Sequence, residues 1–208
     1  MTAPTGRVLV VAWRSTAPPT LPDGWRAEPV LADQRALDRA GSKGRTPPPF
    51  HTLLWCDDPA AAAPLALPAG LAPAVERWGG FGFRSRPAWD DTAAGGARPQ
   101  VKQVSFLRAR ADLGPGEFAR HYREHVAVAR AHHPAVCRYA QHDVVEAVGD
   151  AGLDPEGISE LWFADEATLV ERYFAGPDSV PIVRSDNREY IDFSGTLSLL
   201  VRPCDPAP

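Results

Sequence analysis

The sequence predicts an α+β fold made of ferredoxin-like βαββαβ repeats, two in one chain, with the first repeat degenerate. Three observations lead there. In the second half, strand-like and helix-like patterns alternate in the order β-α-β-β-α-β, which defines the split-βαβ motif. The first half carries weaker copies of two of those segments. Proline and glycine crowd the first half, with 14 Pro and 10 Gly in residues 1–100 against 8 and 7 in residues 101–208. This excess implies more turns and broken helices there.

In the second half, residues 102–109 (KQVSFLRA) form the first strand. Gly114-Pro115 opens a helix, because proline lacks an N–H at a position where that group would be unpaired anyway. The helix runs to about His132. Residues 136–147 (VCRYAQHDVVEA) are rich in β-formers, and residues 158–163 (ISELWF) make a third strand. Asp165 caps a second helix that reaches Phe174, and residues 193–201 (FSGTLSLLV) supply the last strand.

The copy in the first half is read from two matches. Residues 53–61 (LLWCDDPAA) align with 160–168 (ELWFADEAT), placing Trp55 over Trp162 and Asp58 over Asp165. Residues 8–15 (VLVVAWRS) align with 102–109, placing Arg14 over Arg108. The offset grows from 94 at the arginines to 107 at the tryptophans, so the first repeat lacks residues between its first and third strands, from its helix and hairpin. Residues 80–86 (GFGFRSR) are its final strand. A small polar stretch at about 89–100 is the linker, giving repeats over 1–95 and 100–205. A duplicated chain of this kind completes its own pair of sheets, so the expected assembly is a monomeric pseudo-dimer or a homodimer.

Composition narrows the function. The chain has 208 residues, 22 Lys and Arg, 26 Asp and Glu, and a formal net charge of −4. No basic excess is available for a phosphate backbone, so no nucleic-acid partner is expected. Cys56, Cys137 and Cys204 are widely spaced and odd in number, which fits neither a disulfide framework nor a cysteine zinc site and suits a reducing, cytoplasmic setting. The first apolar run has no basic region ahead of it and no apolar stretch reaches membrane-spanning length, so no membrane partner is expected. Walker, dinucleotide-binding and nucleophile-elbow motifs are absent from the sequence, and no nucleotide cofactor is implied.

Chemistry concentrates on the first helix of the second half, where four of six histidines lie on or just beyond it: His121, His125, His132 and His133. His121, His125 and His132 share one stripe, beside Phe118, Ala129 and Tyr122, while Arg120, Arg123 and Arg130 take the opposite side. Imidazoles at the border of a buried face either satisfy core groups or line a cavity. On the next strand, alternation puts Tyr139 and Gln141 on one face and His142 on the other, so at most one of Tyr139 and His142 reaches a given pocket. His121-Tyr122-Arg123-Glu124-His125 also spells H-x-x-E-H, a metalloprotease pattern. A catalytic zinc needs a third protein ligand, and Glu146, Glu160 and Glu189 are too scattered to nominate one. No metal is therefore expected.

From Lys102 onward, F-x-x-x-Y-x-x-H (Phe118, Tyr122, His125), R-Y-x-Q (Arg138, Tyr139, Gln141), ELWF at 160–163 and an acidic start to the second helix resemble EthD-domain proteins. That family belongs to the dimeric α+β-barrel superfamily. The resemblance covers about half the chain; Tyr122-Arg123 stands where many members carry a tryptophan beside the tyrosine, and the first half matches poorly. It implies an α+β barrel with a pocket between sheet and first helix, into which His125 projects. The superfamily contains cyclases, decarboxylases, dehydratases, isomerases, cofactor-free oxygenases and haem enzymes, so fold alone does not choose the reaction.

Taken together, the sequence reads as a cofactor-independent lyase or cyclase acting on an aromatic or polyketide-like small molecule through dehydration, decarboxylation or aldol-type closure. His125 is the acid–base group, aided by Tyr122, His121 and Tyr139, with Phe118, Trp162, His132 and His142 contacting substrate. Two alternatives stay open: a non-catalytic protein that binds a small ligand, and an oxygenase that is cofactor-free or haem-dependent.

Overall fold

The computed structural model describes residues 4–14, 20–39, 50–56, 65–92 and 98–204. Eight strands carry the architecture: β1 (Gly6–Trp13), β2 (Trp25–Pro29), β3 (Thr52–Cys56), β4 (Val75–Asp90), β5 (Val101–Leu107), β6 (Arg138–Gly149), β7 (Gly157–Phe163) and β8 (Leu197–Val201). Four helices accompany them: α1 (Arg35–Arg39), α2 (Pro115–His132), α3 (Glu166–Arg172) and α4 (Ser179–Arg188). The strands form one sheet in the order β2-β3-β1-β4-β6-β7-β5-β8, antiparallel throughout its paired neighbours.

A short seam joins the two outer strands. Val30 bridges Val201, Leu31 N–H donates to the Leu200 carbonyl at 2.9 Å, and Arg202 N–H donates to the Pro29 carbonyl at 3.0 Å. The sheet thus curls into an α+β barrel, and the exposed edges that invite aggregation are largely removed. Within it, β2-β3-β1-β4 and β6-β7-β5-β8 repeat one ferredoxin-like order, and both halves share a register. Val8 pairs with Trp55 as Lys102 pairs with Trp162, at the positions where the two halves align in sequence.

The halves differ in what lies between their strands. Strand β2 and the short α1 occupy the region where the sequence suggests a lost helix and hairpin, so the strand is present although WRAEP carries little β pattern. Strand β4 is longer than 80–86 and takes up the first residues of the expected linker. Asp58, aligned with Asp165, and residues 93–97 of the expected linker, which include Gly95-Gly96, lie outside the described residues. In the second half the last strand starts at Leu197 rather than Phe193, because Phe193–Gly195 form a turn held by Asp192. Helix α4 is an element that strand and helix patterning did not anticipate.

Strand alternation divides the core. Inward side chains fill the barrel, where Trp55, Phe81, Phe83, Phe106 and Ile158 pack with Val8 and Leu199. Outward side chains of the second half meet the helices, with Tyr139, Leu161, Phe163 and Leu200 against Ala129, Leu169 and Leu37. Outward residues of the first half make a separate cluster around Leu9, Trp13 and Leu54. His51, the sole histidine of that half, accepts the Trp13 backbone N–H at Nδ1 (3.1 Å) beside the end of β1.

Candidate active site

Helix α2 begins as its sequence dictates. Gly114 is its extended N-cap, Pro115 occupies the first turn, and the Glu117 carboxylate accepts the Gly114 N–H at 3.0 Å. Pro134 follows the His133 C-cap, whose own N–H closes on the Ala129 carbonyl at 2.9 Å. Helix α3 starts on Asp165, which accepts the Thr168 N–H at 2.6 Å. Helices α2 and α4 lie over the outward face of the second-half sheet and leave a cavity of about 640 Å³ between them and the strands. Among the described residues, everything lining it falls between Gln103 and Ser198, so the first half contributes nothing to its wall.

His125 projects into this cavity from the middle of α2 and is only 8% exposed. Its Nδ1 stands 2.5 Å from Asp186 Oδ2 on α4. With Asp186 ionised, Nδ1 carries the proton and donates it to the carboxylate, leaving Nε2 as the basic nitrogen available to a cavity ligand. A carboxylate that fixes one nitrogen of an imidazole also favours the imidazolium formed when the other nitrogen takes a proton. The Tyr190 ring, 5.8 Å from that of His125, closes one side of the pair.

His133 is a second imidazole in the wall. Its Nδ1–H donates to the Tyr173 carbonyl at 2.7 Å, and its ring packs against Tyr173 and Phe174 at 4.6 and 5.1 Å. Burial pushes its pKa down to about 4, against the opposing pull of that carbonyl, and the charges of His125 and His132 add to the depression. His133 is therefore neutral at pH 7, a fixed donor and acceptor rather than a charge. Burial likewise raises the hydroxyls of Tyr139 and Tyr190 and pushes Tyr173 up to about 12, so these phenols stay protonated.

The depressed His133 pKa has a consequence for stability. The unfolded chain, with an ordinary value of 6.5, takes up the proton before the folded chain does. Stability is full above that value and declines as pH falls from 6.5 towards 4, by about 3 kcal/mol from this residue. Urea unfolding across this range is expected to show the decline, and His133→Asn to flatten it. Glu160 acts in a separate window. Burial would raise its carboxyl, but the Lys102 ammonium and His142 hold it down to about 2, so its contribution is present above 4.5 and lost towards 2.

Two of the eight residues singled out by sequence line the cavity: His125 and Tyr139. Tyr122 is wholly buried beside it, its hydroxyl donating to the Ile158 carbonyl at 2.8 Å and lying 2.9 Å from Ser159 Oγ; it ties the helix to the sheet. Phe118 packs on Tyr122 and Tyr190 at 5.5 and 5.8 Å and lines a smaller crevice near the start of α2. His121 sits outside the lining, with Nε2 at 3.0 Å from an Arg120 nitrogen. His132 spends Nδ1 on Ser179 Oγ at 3.0 Å, linking α2 to the first turn of α4.

Trp162 and His142 point the other way. Both occupy inward positions, so alternation sends them into the barrel and away from the cavity. There His142 Nε2 lies 2.7 Å from Glu160 Oε1, and the Lys102 ammonium rests 5.1 Å from the Trp162 ring. Neither residue therefore lines the cavity that holds His125 and Tyr139. The H-x-x-E-H string does not assemble into a ligand set either. Glu124 pairs with Arg120 at 2.9 Å on the surface, His125 is engaged by Asp186, and no three His, Cys, Asp or Glu among the described residues group as metal ligands.

Sequence reasoning missed Asp186 and left His133 without a role. The available signal was helical: Val183 and Asn187 stand one turn apart on α4, Tyr190 follows just past its end, and all three line the cavity.

No family model and no curated protein matches the chain. Among solved structures, an anthrone oxidase-like protein aligns with a TM-score of 0.55 and 9% identity, covering 96% of this chain and 91% of that one. A candidate monooxygenase from Lactobacillus acidophilus NCFM aligns at 0.47 and 7%, covering 96% and 93%. The likeness to the first of these is one of fold, an α+β barrel, here with both ferredoxin-like halves supplied by one chain. Among the described residues no helix is long and apolar enough to cross a membrane.

Proposed function

We propose that this chain is a cofactor-independent, EthD-like enzyme that enolises an aromatic or polyketide-like ketone in the α2–α4 cavity. The observation that carries this reading is the His125–Asp186 pair at a cavity walled by Tyr139, Leu161, Phe174 and Val183. His125 Nε2 takes a proton from the carbon beside the carbonyl, and Asp186 stabilises the resulting imidazolium. In a cyclase or lyase step the enolate carbon attacks a second carbonyl of the same molecule. The imidazolium then returns the proton to the new alkoxide; for dehydration the neutral His125 removes the remaining hydrogen of the same carbon and passes it to the departing hydroxyl, which leaves as water while the carbon–carbon double bond forms. The apolar walls hold the ring of the substrate against the His125–Asp186 pair.

A second reading shares the first step. The fold-level likeness to an anthrone oxidase-like protein favours capture of the same carbanion by dioxygen. One experiment addresses both: hydrogen–deuterium exchange at the methylene of anthrone and of a 1-aryl-1,3-diketone, followed in deuterated buffer without oxygen. Protein-catalysed exchange is expected with at least one of them. Admitting oxygen then separates the outcomes, since oxygen uptake marks an oxygenase and exchange that continues without uptake marks the enolising lyase or cyclase. Tight stoichiometric binding of these ketones without any exchange would instead establish a non-catalytic binding protein.

A further inference from the structure

The cavity floor is polar where a sheet under helices is normally apolar. Ser105 on β5 is the register partner of Ser159 on β7 and of Ser198 on β8, and Ser159 is that of Gln141 on β6. Four polar side chains therefore form one row across four adjacent strands, on the face that meets the helices. At the β6 end the helix closes the row: Gln141 donates to the Tyr122 carbonyl, and Tyr122 holds Ser159. From Ser159 to Ser198 the row opens into the cavity.

These hydroxyls retain capacity. Ser105 receives a hydrogen bond from Gln103 Nε2 at 3.1 Å and shares one with Ser198 at 2.8 Å, and each serine oxygen offers two acceptor sites and one donor. Gln103 Oε1, in the same wall, is buried without a hydrogen-bond partner, although the Gln103 side chain also acts on the Tyr173 hydroxyl. Ser105, Ser159 and Gln103 are each 5% exposed. Polar groups buried to this extent are costly unless something completes their hydrogen bonds.

We infer that this row selects the substrate's oxygenation pattern: a planar ring bearing two oxygens in 1,3 relation, one at Ser159 and the other at the Ser105–Ser198 pair. The inference rests on the reading of the cavity as a substrate site. Adjacent strands lie about 4.8 Å apart, and the two oxygens of a meta-dioxygenated ring are separated by nearly the same distance while facing a common side. Ortho oxygens stand too close together to address both strands. Para oxygens point in opposite directions, so at most one meets the floor. His125 and His133 in the same cavity then face a ring whose position is set from below.

The test is calorimetric binding of pentyl-substituted resorcinol, catechol and hydroquinone, and of 4-pentylphenol, to the full chain and to its Ser105→Ala, Ser159→Ala and half-buried Ser198→Ala variants. The wild type is expected to prefer the resorcinol by about tenfold, the size of one well-made hydrogen bond. Ser105→Ala and Ser159→Ala are expected to erase that preference, with a smaller loss for the phenol, whose single oxygen can use whichever position remains. Ser198→Ala, the mildest change, is expected to reduce it. Equal affinity for the three isomers, no binding of any, or a preference that persists in all three variants would overturn the assignment. None of these arms depends on His125, so loss of isomer preference with intact His125-dependent exchange removes the floor's role alone, and the converse result removes only the acid–base reading.

Discussion

Replacing His125 with glutamine is expected to lower turnover roughly 100- to 10,000-fold without unfolding the protein, because glutamine fills much of the same space and retains a polar contact for Asp186. Asp186→Asn tests the same unit from the other side. An amide in that position no longer fixes the Nδ1–H tautomer or stabilises the imidazolium, so a loss of roughly 100-fold is expected with His125 itself intact. Combining the two substitutions is expected to cost little more than His125→Gln alone, since groups that act as one unit are not additive. Steady-state rates with thermal unfolding as a control measure all three. Full turnover in His125→Gln would end the acid–base assignment.

The largest effect on stability is expected at Lys102. This lysine is 1% exposed inside the barrel, where its ammonium forms ion pairs with Glu28 of β2 and Glu160 of β7 and lies 4.4 Å from the Trp55 ring. It sits one residue from Gln103 in the same strand, yet alternation assigns it to the opposite face. Removing one partner of a buried ionic cluster leaves uncompensated charge, so Lys102→Met is expected to destabilise the fold by about 3–5 kcal/mol. Converting both carboxylates as well, in Lys102→Met/Glu28→Gln/Glu160→Gln, is expected to recover most of that loss, because amides can stay buried at far lower cost. Urea denaturation distinguishes the two variants. Equal stability of both would mean that packing around the lysine stem, rather than its charge, sustains the barrel.

The Lys102 cluster also shows where a sequence stops being readable. KQVSFL gives itself away as a strand, and the order of elements in the second half follows from local pattern and from caps such as Asp165. Glu28, however, meets Lys102 only because the barrel closes, and no local signal in WRAEP reports a contact with a residue 74 positions away. The candidate site divides in the same way. Helical periodicity placed His125 at the border of the buried face, and strand alternation separated Tyr139 from His142. Those two rules need nothing beyond neighbouring residues.

Asp186 and His133 were harder for a physical reason. Asp186 gains its meaning from the packing of α4 against α2, and α4 opens on Asp178-Ser179-Val180-Pro181, in which no side-chain cap marks the start. His133 lies just past the helix end, where its direction depends on the C-cap geometry rather than on the helical repeat. Trp162 turns on register: an aromatic on a strand can serve either face, and its place on β7 sets it in the barrel interior beside Lys102.

The most direct test of the whole account is a crystal structure of the protein with a hydroxylated anthraquinone, a planar analogue that has no enolisable proton and so stays intact. The ring system is expected between α2, α4 and the serine row, with a ring carbon within about 3.5 Å of His125 Nε2 and the Asp186 contact preserved. A ligand bound inside the barrel or on the surface, with the α2–α4 cavity empty, would contradict it.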